Sequence, residues 1–167
     1  MDDGCIGETV ASVIASRQLA YAKDPMVRRA LTAVVREEAT HAELAWKTVD
    51  WAVRKGGKKV ESAVLKTFDR VVAETLVREG KGSGARKGHF TESEDVKKTV
   101  SMEAFGVLGE CAARKIETGP AMKLVKALLK DMLANLHVDS AKSSQHVWEP
   151  RKRIQDCINA VVGQKIV

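Results

Sequence analysis

Glu38 and His41 form a Glu-x-x-His pair within Glu37-Glu38-Ala39-Thr40-His41, and Glu8 precedes Glu38 by thirty residues. Carboxylate oxygens and imidazole nitrogens are metal ligands, and on a helix the residue at i+3 projects on the same side as the residue at i. The three side chains therefore read as a ligand set, provided two helices bring them together. Steps of three and four along the second segment pass through Val27, Leu31, Val34, Glu38, His41, Ala45 and Ala52, an apolar row broken only by the pair and by Thr48. That row predicts a pair facing inward. The first segment, read the same way, gives Cys5, Glu8, Ser12, Ala15, Leu19 and Ala22, which turns Glu8 inward too.

The element that must position these groups is a helical hairpin. Lys23-Asp24-Pro25 lies between the two segments, with Asp24 suited to cap the second helix and Pro25 to its first turn, where a missing N–H costs nothing. Glu8 and Glu38 each lie about 15 residues from this bend, roughly 22 Å of helix at ~1.5 Å per residue, so an antiparallel hairpin sets them side by side. Burying an unpaired carboxylate costs several kcal/mol, and two of them beside an imidazole call for a cation. Carboxylates with one imidazole suit iron or manganese. A structural zinc would more often recruit closely spaced thiolates, and Cys5, Cys111 and Cys157 offer no such pair.

A Glu helix followed by a Glu-x-x-His helix resembles the ferritin-like superfamily, which includes ferritins, rubrerythrins and di-iron oxygenases. The runs Gly4-Cys5-Ile6-Gly7-Glu8-Thr9-Val10 and Glu37-Glu38-Ala39-Thr40-His41-Ala42-Glu43-Leu44-Ala45-Trp46 look like a bacterial branch of such proteins, a similarity covering residues 3 to 53. The resemblance implies an all-α fold, a ferritin-like antiparallel hairpin with additional packed helices, and metal ligands at Glu8, Glu38 and His41. It further implies two Fe ions per complete site, with Mn as the substitute, Glu38 bridging them and Glu8 and His41 capping each ion. The implied chemistry is redox work with O2 or peroxide, of the ferroxidase, peroxidase or oxygenase type.

A full site of this kind takes a second Glu-x-x-His, and the chain has none. His89, His137 and His146 follow Arg86, Ala134 and Ser143 at the critical spacing. Three expectations follow. Two hairpins meet in a homodimer or higher homo-oligomer and share the site, as half-length encapsulated ferritins do. Alternatively, an upstream hairpin completes it. In the third, the helical core survives without metal, as a scaffold or interaction module with a basic surface.

The 167 residues, 44% hydrophobic and 30% charged, are ordinary for a globular protein with a sizeable core. No apolar run reaches about 18 residues, so no transmembrane segment is expected. The start Met1-Asp2-Asp3-Gly4-Cys5 lacks the pattern of a secretory signal, so a cytoplasmic location is expected. An odd number of widely separated cysteines predicts reduced thiols rather than disulfides. The net charge of +6 permits weak contact with polyanions, but an aromatic content of 4% offers few stacking platforms, so specific nucleic-acid binding is not expected.

Along the chain, helical spacing predominates and alternating strands are hard to find. Residues 1–79 read as the hairpin plus a third helix, which starts after Gly56-Gly57 and turns Val60, Val64, Phe68, Val71 and Thr75 inward. Residues 80–95 read as a basic, glycine-rich loop without the register of a phosphate-binding loop. Residues 96–167 read as C-terminal helices of the same unit. One is expected from about Lys97 to Glu117, ended by Gly119-Pro120. A second carries Met122, Val125, Leu128, Leu129, Met132, Leu133 and Leu136 inward. The last is expected from about Pro150 to Val162, with Ile154, Ile158 and Val161 inward and Arg151-Lys152-Arg153 outward.

Other groups have plainer readings. Glu103, Glu110 and Glu117 share a helical face with Val107 and Arg114 and read as a solvated row. Glu37, off the apolar row, reads as facing solvent or a rim salt bridge rather than as a ligand. Trp46 and Trp51 read as a hydrophobic wall near the metal motif or as plain core. Tyr21 lies too far from Glu8 to reach the same centre.

Overall fold

Asp24 starts the second helix by accepting hydrogen bonds from the backbone N–H groups of Met26 and Val27, at 2.9 and 3.0 Å. These satisfy two donors that a helix start leaves without partners. From the other side of the corner, the Arg28 guanidinium donates to the carbonyls of Leu19 and Ala22, at 3.0 and 2.8 Å, serving the end of the first helix. In this computed structural model the residues described are 2–80, 106–108, 110–138 and 148–163. The corner joins α1 (Gly7–Tyr21) to α2 (Pro25–Gly80), and a wide π-turn, Asp2–Ile6, leads into α1. The hairpin expected from the turn chemistry is present.

α2 is two helices in one run, broken at Gly57, whose φ of 59° and ψ of −155° lie outside the helical region. Glycine adopts this backbone without the clash a Cβ would bring. A Cβ on the neighbouring Gly56 would collide with the Val60 side chain. Trp46 and Phe68, equidistant in sequence from Gly57, pack with ring centroids 5.4 Å apart, so the second limb returns along the first. Val64, Phe68 and Thr75 are buried and Val60 and Val71 partly so, the face anticipated from their spacing.

The C-terminal region departs from expectation. Gly106, with φ of 76°, and the two residues after it are not helical, and α3 begins only at Glu110 (Glu110–Ile116). A Cβ at Gly106 would stand 2.8 Å from Leu31 Cδ1 and 3.1 Å from the Gln18 carbonyl oxygen, so this turn lies directly against the α1–α2 corner. Val107 is therefore not on a helical face with Arg114, and Glu103 lies outside the described residues, as does nearly all of the 80–95 stretch. Gly119-Pro120 does not end a helix either. Glu117–Ala121 is a π-turn that carries the chain straight into α4 (Met122–Val138). Pro120 has no N–H to give, and a widened turn is the usual way a helix absorbs that loss. The Met122 N–H bonds the carbonyls of Glu117 and Gly119, and Ala121 and Met122 are buried, which ties the turn to the core.

α4 buries Met122, Val125, Leu128 and Met132, and α5 (Pro150–Gly163) buries Ile154, Ile158 and Val161 while Arg151, Lys152 and Arg153 face solvent. One apolar core joins side chains from all of these helices. The architecture is an all-α helical bundle, without strands among the described residues, and no described helix is long and apolar enough to cross a membrane.

Candidate metal centre

Trp46 sets the orientation of α2. It is fully buried, packs on Phe68 and meets Trp148 edge-on at 6.0 Å, and its indole N–H donates to Thr9 Oγ1 at 2.9 Å. A side chain of this size dominates the area that a helix can remove from water. The innermost row of α2 is accordingly Val35, Ala39, Ala42, Trp46, Val49 and Val53. Each member of this row lies one residue past a member of the row that contains Glu38 and His41, so the two rows are rotated by about 100°. The expectation of a fully inward pair is thus corrected: Glu38 is half-buried, and the His41 side chain is 57% exposed. Of the flanking wall, Trp46 is core and Trp51 is 61% exposed, so neither a wall nor plain packing describes Trp51.

α1 shows the same offset in milder form. Cys5, Ser12, Ala15, Leu19 and Ala22 are buried as expected, but Thr9 takes the innermost place beside Trp46, and Glu8 stands at the rim with its side chain 33% exposed. Thr9, Ser12 and Ser16 donate to the carbonyls of Cys5, Thr9 and Ser12, which satisfies the buried hydroxyls within α1 itself.

The hairpin nevertheless brings the three sequence-derived ligands together. One donor atom from each of Glu8, Glu38 and His41 can be chosen so that all lie within 4.8 Å of one another, with His41 Nδ1 3.8 Å from Glu8 Oε2. Burial, the largest influence, raises the Glu38 pKa above the ordinary carboxylate value. The Glu8 carboxyl adds to this through hydrogen bonding and repulsion, and Glu37 adds slightly, against an opposing pull from His41. Among the described residues no lysine or arginine pairs with Glu8 or Glu38. The donor set fits a hard or borderline divalent cation: two carboxylates neutralise its charge, the imidazole adds a nitrogen, and the open side leaves positions for further ligands.

Other groups fall where their plainer readings put them. Glu37 is exposed. Tyr21 pairs with Arg17, whose guanidinium lies 5.0 Å from the ring centroid and donates to the phenol oxygen at 3.3 Å. Cys5 is buried and Cys157 half-buried, and burial pushes the Cys157 thiol up. His89 and His146 lie outside the described residues. Sequence reasoning missed the Thr9–Trp46 hydrogen bond. Its only signal was adjacency, since Thr9 follows Glu8 and Trp46 lies just past His41.

Comparison of the chain with family models, with curated proteins and with solved structures finds no match. The ferritin-like resemblance therefore rests on the hairpin's own residues.

Proposed function

We propose that this chain is a ferritin-like metal-binding protein in which Glu8, Glu38 and His41 hold iron, or manganese in its place, at one half of a di-metal carboxylate centre. One observation supports the reading above the others: two adjacent carboxylates and an imidazole converge from two helices, and among the described residues no lysine or arginine pairs with them. A structural ion pair would have supplied an arginine or lysine here. In a complete centre Glu8, Glu38 and His41 would hold the ions from this chain's side. The other half comes from a second chain or from an upstream segment. Bound iron would supply redox chemistry toward O2 or peroxide. The residues here bind and orient the ion, and the adjoining Trp46 core excludes water from one side.

The competing reading is a metal-free helical scaffold. It is favoured by the position of the cluster at the rim, where water can solvate it and the Trp46 core closes without it. Anaerobic Fe(II) titration followed by removal of free metal and iron analysis separates the two. About one iron per chain, or two per complete site, lost in Glu38→Ala, supports the metal centre. A folded wild type that retains no iron above a Glu38→Ala control leaves the scaffold.

A further inference from the structure

The reversal at Gly57 gathers cations at the end of the hairpin. Arg54, Lys55, Lys58 and Lys59 surround Gly56-Gly57, all of them are exposed, and no acidic residue lies between Trp51 and Val60. Arg54 pairs with Asp50 at 2.9 Å, but among the described residues Lys55, Lys58 and Lys59 have no ion pair. The basic run of α5 is different, since Arg151 is taken up by Glu43 at 2.8 Å and Arg153 by Asp131 at 2.6 Å.

Folding gains little from this placement. Arg54 and Lys55 end the first limb of α2, where the helix dipole favours cations, but Lys58 and Lys59 open the return limb, where it opposes them. Like charges crowded into one turn also repel. An anion answers both costs.

Trp51 stands beside these lysines. It lies one turn before Lys55 on the side of α2 away from the buried Trp46, Val49 and Val53, it is 61% exposed, and no described ring or cation stacks on it. Left open to water, an indole forgoes the large apolar burial that it offers. Leu44, 65% exposed, continues the same row two turns back. The exposed Glu37 is also on this row, but about 21 Å from Trp51 at ~1.5 Å per residue, more than twice the ~8 Å over which salt screens charge.

The occupant must therefore be anionic and must also accept apolar side chains. A nucleic acid would give the lysines phosphates and Trp51 a base to stack on, but nothing to Leu44, and one turn at the end of a hairpin follows little of a strand. An anionic bilayer supplies headgroup charge for the lysines and an interfacial layer in which tryptophan settles. No described helix is long and apolar enough to cross it, so the contact is with its surface.

We propose that the Gly56-Gly57 turn docks on an anionic lipid surface, with Lys55, Lys58 and Lys59 on the headgroups and Trp51 seated at the interface. This docking is independent of the metal-binding reading.

The test is vesicle co-sedimentation of the full chain, with tryptophan emission recorded, on phosphatidylcholine alone and on its equimolar mixture with phosphatidylserine. Wild type is expected to bind the mixed vesicles, not the neutral ones, with a blue shift in emission. One lysine near such a surface is worth on the order of fivefold in affinity, so Lys55→Gln/Lys58→Gln/Lys59→Gln should bind at least about tenfold more weakly. Trp51→Ala should lose the blue shift. Lys123→Gln/Lys126→Gln/Lys130→Gln, which removes the same charge from exposed positions of α4, should bind as wild type does. The turn variant decides the matter if Trp51→Ala does not fold. A wild type that ignores mixed vesicles overturns the proposal, as does equal weakening by the turn and α4 variants or no weakening by either. A blue shift that persists in Trp51→Ala overturns the seating of Trp51. A wild type that ignores vesicles but binds a thymidine oligonucleotide through the same lysines assigns the turn to nucleic acid and overturns the lipid surface.

Discussion

Glu38 and Glu43 lie five residues apart on the same helix, and the bundle treats them in opposite ways. Glu43, with its side chain 14% exposed, accepts from Lys47 at 2.9 Å and from Arg151 at 2.8 Å, and Lys47 also reaches Glu149 at 3.1 Å. Burial alone would raise its pKa, but the hydrogen bonds and charges of Lys47 and Arg151 outweigh that and hold it below the ordinary value. Glu38 has a second carboxylate where Glu43 has two cations, and its pKa is raised. The Glu43 cluster is complete as it stands and pins α5 to α2. The Glu38 cluster is chemically unfinished. Acidic residues on a helix thus divide by what answers them, and only the unanswered ones point to a ligand.

The contrast predicts a separation of effects. The largest is on metal: Glu38→Ala or His41→Ala should lower Fe(II) affinity by at least about 100-fold, since even partners outside the ligand set are worth 10–100-fold. Glu43→Gln should leave that affinity unchanged in the same dialysis experiment. Equal losses in both would erase the distinction.

Next in size is the link between cluster and core. Thr9→Val removes the acceptor for the buried Trp46 indole N–H, and leaving that donor without a partner should cost about 1–3 kcal/mol in urea unfolding. No measurable change would mean that the indole finds another acceptor and that the core does not hold the Glu8 turn in register.

A smaller effect should follow pH. Because the folded-state pKa of Glu43 is lowered, its stabilising contribution is present above its unfolded value, 4.5, and is lost as pH falls through the depressed folded value. Glu43→Gln should flatten the acid limb of the stability curve by about 1 kcal/mol or less, the range for partly exposed ion pairs. The smallest expected change is at Glu38. A raised folded-state pKa makes its contribution favourable below 4.5 and lost as pH rises through the raised value. At neutral pH the metal-free protein should therefore be no less stable as Glu38→Gln, and thermal melts on both, without and with Fe(II), would show whether metal reverses that order.

Much of this was legible in the residues. The Asp24-Pro25 corner, the reversal at Gly56-Gly57, the inner faces of the return limb, α4 and α5, and the meeting of Glu8, Glu38 and His41 all follow from local chemistry: caps, glycine conformations and spacing. The depth of the site did not follow. Two apolar rows run along α2, and periodicity weighs Val34 and Ala45 much as it weighs Ala39 and Ala42. Only the packing of Trp46 against Phe68, Trp148 and Thr9 decides between them, and that is a property of three other segments. Pro120 misled for a related reason. A proline is a local signal to stop, but the burial of Ala121 and Met122 holds the helix together through a widened turn. Arg151 as the partner of Glu43 could not be read at all, since 108 positions separate them.

The reversal at Gly57 bears on the order in which the molecule assembles. Trp46 and Phe68 are joined by a short stretch that is itself helical on both sides of one glycine, and Glu8 meets Glu38 across a corner of three residues. Closing such short loops sacrifices little chain entropy, and contacts between sequence neighbours form fastest. The three-limbed N-terminal unit should therefore gather its aromatic centre and its carboxylates within one early event, while α5, tied in from far along the chain, docks afterwards. A nascent chain would then bring Glu8, Glu38 and His41 together before its C-terminal third has folded.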